Sequence, residues 1–340
     1  MASHRRPKQP SRTRVTVLTA TAAAAVALSS QAAQAAPKPS KEDVKAKVDK
    51  LYEEAEQATE KYNGAKAKQD KLKEQVDDLQ DKVARGQEDL NKLRDGLGSM
   101  ATAQYRSGGI DPSVQLLLSS DPDEYLDRAS TLDQLSGKQA GALKQIGDKQ
   151  RTLKQQRAEA TTKLQDLAET RKSLGEKKEE IQGKLAKAQE LLNTLTEKER
   201  QALAEKEERA NRSNDRVDLG DDVPESQRAA AALSAAKTKI GSPYVWGATG
   251  PSSFDCSGLT SWAYAQAGVQ LDRTSQAQAN NGTRISQDQL KPGDLVLFYD
   301  DLHHIGLYAG NGQVLHAPKP GANVRYESIN NMPFMFGVRV

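Results

Sequence analysis

Asp255-Cys256-Ser257-Gly258-Leu259-Thr260-Ser261-Trp262-Ala263-Tyr264-Ala265-Gln266-Ala267-Gly268 is the stretch on which the reading of the C-terminal part turns. Its apolar residues and closing glycine predict a helix with a C-cap. Cys256 therefore falls at or next to a helix N-terminus. Unpaired N–H groups and the positive end of the helix dipole favour thiolate over thiol there. Cys256 is also the single cysteine of the chain. The plain alternative is a small buried hydrophobe, a common fate of free cysteine. The polar flanks Asp255 and Ser257 argue against it, and Gly258 leaves room for close approach of a substrate.

Downstream, Lys291-Pro292-Gly293-Asp294 is a turn. Apolar runs over 295–299, 304–309, 313–317, 324–329 and 334–340 predict strands in an antiparallel meander. A helix bearing a nucleophile, packed on a sheet bearing a base, makes an α+β domain. His303, His304 and His316 all follow the cysteine, as a thiol nucleophile and its base require. Strand alternation groups His303 with Ile305 and Leu307, and His304 with Gly306 and Tyr308. The space beside Gly306 favours His304 as the base, leaving His303 as an exposed strand-entry residue. The turn at Gly310-Asn311-Gly312 tests His316. A two-residue Asn-Gly loop sets Leu307 opposite His316, on the wrong face. A three-residue loop with Gly312 in the left-handed region sets Gly306 opposite His316. That loop is expected, with His304 and His316 as diagonal neighbours and His316 orienting the His304 ring. No metal or cofactor is expected, because these residues lack the short-spaced ligand pairs of zinc sites.

Upstream, the apolar period changes. From Val44 it steps by four and three through Val48, Leu51, Ala55, Ala58, Tyr62 and Ala65. It resumes after Gln69 at Leu72, Val76, Leu79 and Val83, skips Gly86, and continues at Leu90, Leu93, Leu97 and Met100. This is an a/d seam over roughly eight heptads. A helix on the order of 100 Å long cannot bury that stripe alone and needs a partner. Ser107-Gly108-Gly109-Ile110-Asp111-Pro112 breaks it. A second seam runs from Leu132 and Leu135 through Ile146, Leu153, Ala160, Leu164, Leu167, Leu174, Ile181, Leu185, Ala188 and Leu192 to Leu195, with polar interruptions at Gln150, Arg157, Arg171 and Lys178. An antiparallel hairpin is the simplest solution; an intermolecular coiled coil competes with it. Val114 to Leu126, the most apolar stretch of this half, is either a short helix capping the hairpin tip or a partner-docking surface.

The chain has 340 residues, 4% aromatic and 28% charged, with a net charge of +3. That is too few large apolar side chains for one core, and it fits a long helical part joined to a smaller domain. No basic patch with interleaved aromatics supports nucleic-acid binding. Arg5, Arg6, Lys8, Arg12 and Arg14 precede a small apolar run, Val15 to Leu28, and Ala33-Gln34-Ala35 suits cleavage before Ala36. The run falls short of the about 20 apolar residues that a membrane span needs. Residues 1–35 therefore read as a cleaved signal, 36–210 as the helical hairpin, 211–227 as a linker and 228–340 as the α+β domain. Outside the cytoplasm, a lone cysteine leaves an intermolecular bridge or a reactive thiol.

Pro243-Tyr244-Val245-Trp246-Gly247, Asp255-Cys256-Ser257-Gly258-Leu259, Arg273-Thr274-Ser275, Lys291-Pro292-Gly293-Asp294-Leu295 and His304-Ile305-Gly306-Leu307-Tyr308 together resemble the NlpC/P60 family of cell-wall cysteine peptidases. The resemblance covers about the last third of the chain. It implies a papain-like fold and cleavage of peptidoglycan stem peptides between D-γ-glutamyl and the diamino acid. By it Cys256 is nucleophile, His304 base and His316 orienter. Tyr244 would line the site, and Asp255 and Ser257 would bind the stem peptide. Arg273 is either a substrate contact or a structural salt bridge. Trp246 reads as core packing. The helical half resembles, more weakly, the N-terminal coiled coils of secreted wall hydrolases. In several of those the coiled coil restrains the enzyme and couples it to a membrane division complex of the FtsEX type. The resemblance thus implies a secreted, cell-wall-associated endopeptidase, and the length of the coiled coil with its flexible linker predicts that it covers the cleft. An amidase or acyltransferase on the same fold is the alternative, as is a non-catalytic coiled-coil scaffold.

Overall fold

The heptad seam becomes two long packed helices. In the computed structural model, α1 spans Lys41–Arg106, 66 residues, and α2 spans Pro122–Asn193, 72 residues. The structure describes residues 40–106, 114, 122–212, 217–220 and 222–340. The expected signal, the whole of the Ser107–Pro112 break and residues 115–121 of the apolar tip segment lie outside them. No helix among the described residues is long and apolar enough to cross a membrane.

The two helices run antiparallel. Lys149 pairs with Asp89 near one end and Lys184 with Glu54 near the other. The buried seam includes Leu72, Val76, Leu79 and Leu90 on α1, and Leu153, Leu167, Ile181 and Ala188 on α2. Gly86, the skipped seam position, has a packing reason: a Cβ there would lie 2.8 Å from Leu153 Cδ2. The leucine fills a notch that only glycine leaves open. Arg157, one of the polar interruptions, donates to Gln87 Oε1 at 2.8 Å. It reaches across the seam from its edge and keeps its charge in water.

The hairpin does not continue as one helix to residue 210. It stops at Asn193 and restarts as α3, Glu197–Arg212. A reciprocal cap explains the restart: Thr196 N donates to Glu199 Oε2 at 2.8 Å, and Glu199 N to Thr196 Oγ1 at 3.4 Å. The pattern Thr-x-x-Glu was visible in the sequence. α3 folds back so that Leu203 packs on a cluster of Val44, Val48, Ala188 and Leu195.

The C-terminal part begins with α4, Gln227–Lys237, whose N-cap Ser226 accepts from Ala229 N. α5 is Cys256–Gln266 and α6 the single turn Ser275–Gln278. Six strands follow: β1 Thr283–Ile285, β2 Leu295–Phe298, β3 His304–Gly310, β4 Gln313–His316, β5 Arg325–Ser328 and β6 Phe334–Arg339. All pairings are antiparallel, in the order β1-β6-β2-β3-β4-β5. The meander holds for β2 to β5. The last strand breaks it by returning to lie between β1 and β2. The sheet is covered on both faces, which is why β2 reads as a continuous apolar run. Leu295 and Leu297 face α5 in the larger core, and Val296 and Phe298 join Val314 and Ile329 in a second.

The β3–β4 turn differs from expectation in its means. Its loop is the two-residue Asn311-Gly312, both with positive φ (48° and 68°), the geometry an Asn-Gly turn adopts. A bulge between Tyr308 and Gly310 then shifts the register, so Leu307 faces Leu315. One step further along, Gly306 stands opposite His316. A Cβ on Gly306 would lie 3.0 Å from His316 Cβ. The bulge does the work that the third loop residue was expected to do.

Candidate active site

α5 starts where its sequence allows. Asp255 is its N-cap and accepts a bond from Gly258 N at 2.6 Å. Cys256 is the first helical residue and is 1% exposed. Gly258 does leave a gap, but the chain's own backbone fills it: a Cβ there would lie 2.1 Å from Ala248 O. No side-chain rotation relieves a clash with backbone. Gly258→Ala is therefore expected to lower the domain's stability by about 3 kcal/mol through overpacking, read as a fall in the urea midpoint.

The sheet delivers the histidines. His304 Nε2 and His316 Nδ1 are 2.7 Å apart, both residues 1% exposed. His316 Nε2 has no hydrogen-bond partner among the described residues; its nearest carboxylate oxygen, Glu327 Oε2, is 3.8 Å away. His303 is not exposed. It is 1% exposed, stacks on Tyr299 with ring centroids 4.2 Å apart, and bonds Asp301 through Nδ1. Its carbonyl oxygen lies 3.7 Å from Cys256 Sγ.

The remaining expected residues gather around the cysteine. Arg273 grips Asp255 with both guanidinium nitrogens, at 3.2 and 2.6 Å, and donates to Ser257 Oγ at 2.8 Å. Of the two readings of Arg273, the salt bridge is present. Tyr244 is buried in the same core cluster as Cys256. Trp246 is only partly buried there, and it meets Tyr62 of α1 edge-on at 5.3 Å.

The helical half enters this site. Glu56 bonds His304 Nδ1. Glu60 accepts from Ser257 Oγ at 2.8 Å, from Ser275 N at 2.6 Å and from Ser275 Oγ at 2.9 Å. Its Oε1 lies 3.9 Å from Cys256 Sγ. Asn63 donates to Asp255 Oδ2 at 3.0 Å. Lys319 Nζ reaches Asp49 Oδ1 at 2.8 Å beside them. All three clamp residues are buried, at 6%, 2% and 1% exposure. Sequence reasoning passed over them as polar positions off the seam. Their one signal is spacing: 56, 60 and 63 lie on one helix face.

This contact sets the electrostatics. Burial raises the Cys256 thiol pKa well above its ordinary value, and Glu56, Glu60 and Asp255 push the same way. The helix N-terminus was expected to favour thiolate; three carboxylates and burial outweigh it, and the docked thiol is protonated. Burial lowers the His304 pKa, but the Glu56 charge and hydrogen bond overcome it and leave the ring raised. Burial drives His316 well below its ordinary value, helped by His304 and Arg325, so His316 is neutral. Glu60 is raised to about 7, first by burial and then by Asp255.

A cysteine at a helix N-terminus, facing a histidine pair on an antiparallel sheet, is the arrangement of a papain-like α+β domain. Residues 241–336 match the model of the NlpC/P60 family, and the C-terminal domain belongs to that family. The chain is 51% identical over 124 residues to the "Probable endopeptidase Cgl2188" of Corynebacterium glutamicum, covering 35% of this chain and 59% of that protein. It is 45% identical over 95 residues to the "Probable endopeptidase Rv2190c" of Mycobacterium tuberculosis, covering 28% and 25%. The chain thus spans less than two thirds of the length of these curated relatives. Among solved structures it is similar to the NlpC/p60 domain of the peptidoglycan hydrolase SagA, with 40% identity, a TM-score of 0.31, and coverage of 33% of this chain and 98% of that one.

Proposed function

We propose that this protein is a secreted peptidoglycan endopeptidase held latent by its own coiled coil. The observation that carries the reading is the buried Cys256–His304–His316 constellation with Glu56 and Glu60 of α1 seated in it. Once α1 withdraws, the cysteine loses the two nearest carboxylates that oppose its ionisation. The helix N-terminus and the His304 ring then favour a thiolate–imidazolium pair. The thiolate attacks the scissile carbonyl, His304 gives its proton to the leaving amine, and water releases the acyl-enzyme. His316 accepts from His304 Nε2–H and holds Nδ1 towards the sulfur.

The likeness to NlpC/P60 domains supports a stem peptide as substrate, with D-γ-glutamyl–diamino acid as the bond assigned to it in this reading. Tyr244, Asp255, Ser257 and Arg273 surround the nucleophile and would contact it. The basic, alanine-rich N-terminus supports export, and the long hairpin supports coupling to a membrane division complex of the FtsEX type that would draw α1 away.

Cys256→Ala is expected to lower release of stem-peptide fragments from purified sacculi by at least about 10⁴-fold, the scale for loss of a nucleophile. The assay uses a clamp-released form, with products identified by mass. Undiminished release would remove the peptidase reading, and cleavage at another bond would remove the assigned specificity.

A further inference from the structure

Cys256 and His304 stand 48 positions apart in the sequence of the C-terminal domain, yet folding brings them together and supplies a third donor from about two hundred residues upstream. One carboxylate oxygen of Glu56, Cys256 Sγ and a ring nitrogen of His304 all lie within 4.8 Å of one another, and all three residues are buried. We infer that the docked state is a binding site for Zn²⁺, ligated by Cys256 Sγ, His304 Nδ1 and the Glu56 carboxylate, and that the metal latches α1 onto the catalytic domain.

The donor chemistry fits zinc. A thiolate, an imidazole and a carboxylate are its usual protein ligands, at about 2.3 Å for sulfur and about 2.0–2.2 Å for nitrogen and oxygen. Tetrahedral angles at those lengths separate the donors by roughly 3–4 Å, so the three need only small shifts to close on an ion. The thiolate selects against magnesium and calcium. The His304 ring is already oriented: its Nε2 is engaged by His316 Nδ1 at 2.7 Å. A ligating histidine is normally fixed in this way, its second nitrogen donating to a neighbour. The His303 carbonyl oxygen, 3.7 Å from Sγ, lies at the separation expected between two donors on one ion.

Charge and protons balance. On binding, the thiol proton leaves Cys256 and the Nδ1 proton leaves His304. One Zn²⁺ with a thiolate, a carboxylate and a neutral imidazole carries no net charge, which suits a site closed to water. The catalytic domain alone offers two of these ligands. An ion that binds the docked state more tightly than the open one shifts the population towards docking by a factor that grows with the free ion concentration relative to the docked-state Kd. The inference rests on ligand placement, so it stands or falls apart from the peptidase reading.

The test uses the full chain and zinc chloride, with affinity measured by competition against a chromophoric chelator. One zinc per chain is expected. Glu56→Gln should weaken binding by at least about 100-fold, the scale for losing a direct ligand where second-shell losses reach 10–100-fold. Because that variant also loosens docking, Glu56→His is the control: it restores a ligand of another charge and should recover most of the affinity. Cobalt(II) in the wild-type should show tetrahedral bands and a thiolate-to-metal charge-transfer band that Cys256→Ala abolishes. Unchanged affinity in Glu56→Gln, no recovery in Glu56→His, or a cobalt spectrum indifferent to Cys256→Ala would each overturn the site.

Discussion

Full-length protein carrying Glu60→Arg is expected to cleave wall stem peptides at least about 100-fold faster than wild-type. It should approach the rate of a fragment that starts at Ser226. In the wild-type, Glu60 is 2% exposed and accepts from Ser257 Oγ, Ser275 N and Ser275 Oγ. Arginine in that place would bury a cation against three donors and close to Arg273, itself committed to Asp255 and Ser257. An unpaired buried charge costs about 3–5 kcal/mol. A docking equilibrium moved by about 2.7 kcal/mol already changes the open fraction about 100-fold when docking is nearly complete. Initial rates on defined muropeptides, for the two full-length proteins and the fragment side by side, provide the measurement. Equal rates for wild-type and fragment would mean that the seated helix does not restrain the enzyme.

Asp255→Ala is expected to act on the domain itself, with a loss of about 3–5 kcal/mol. Asp255 is fully buried and has three partners within the catalytic domain: Gly258 N at the head of α5, both nitrogens of Arg273, and Ser257 Oγ. Removing it strips the cap, worth about 1 kcal/mol. It also leaves Arg273, largely buried, facing an empty space. Arg273 keeps its bond to Ser257 and some contact with water, which holds the loss to the lower part of that range. Urea unfolding of the fragment from Ser226 measures this free of the clamp. Asn63→Ala, by contrast, removes only bonds made by α1, to Asp255 and to its own Glu60, and should leave the fragment-sized transition of the full chain where it is.

Legibility followed where each residue finds its partner. The seam of α1 and α2 was plain because an a/d stripe declares that something apolar covers it. The nucleophile helix was plain because its polar flanks, its apolar run and its closing glycine are local. His304 over His303 followed from strand alternation alone. The clamp was hidden for the opposite reason. Glu56, Glu60 and Asn63 are polar residues on a charged helix, and apart from their shared helix face nothing within forty residues marks them as buried. What buries them lies some two hundred residues on. The thiol's protonation was misread for the same cause: the helix N-terminus is local and was counted, whereas the carboxylates that outweigh it arrive from elsewhere. β6 shows the topological form of this limit. Its apolar run announced a strand, but only the completed sheet decides that it lies beside β2.

The length of α1 has a mechanical side. The clamp occupies two turns, residues 56 to 63, whereas the helix runs on to Arg106. At about 1.5 Å per residue the far end stands about 70 Å from the contact. Leu153 seated in the Gly86 notch and the paired seam bind α2 to that span, so the arm is a stiff double rod rather than a single flexible helix. A sideways load at its tip therefore arrives at Glu56 and Glu60 as torque. A short row of hydrogen bonds opposes it at the fulcrum, and bonds loaded from one edge fail in turn rather than together.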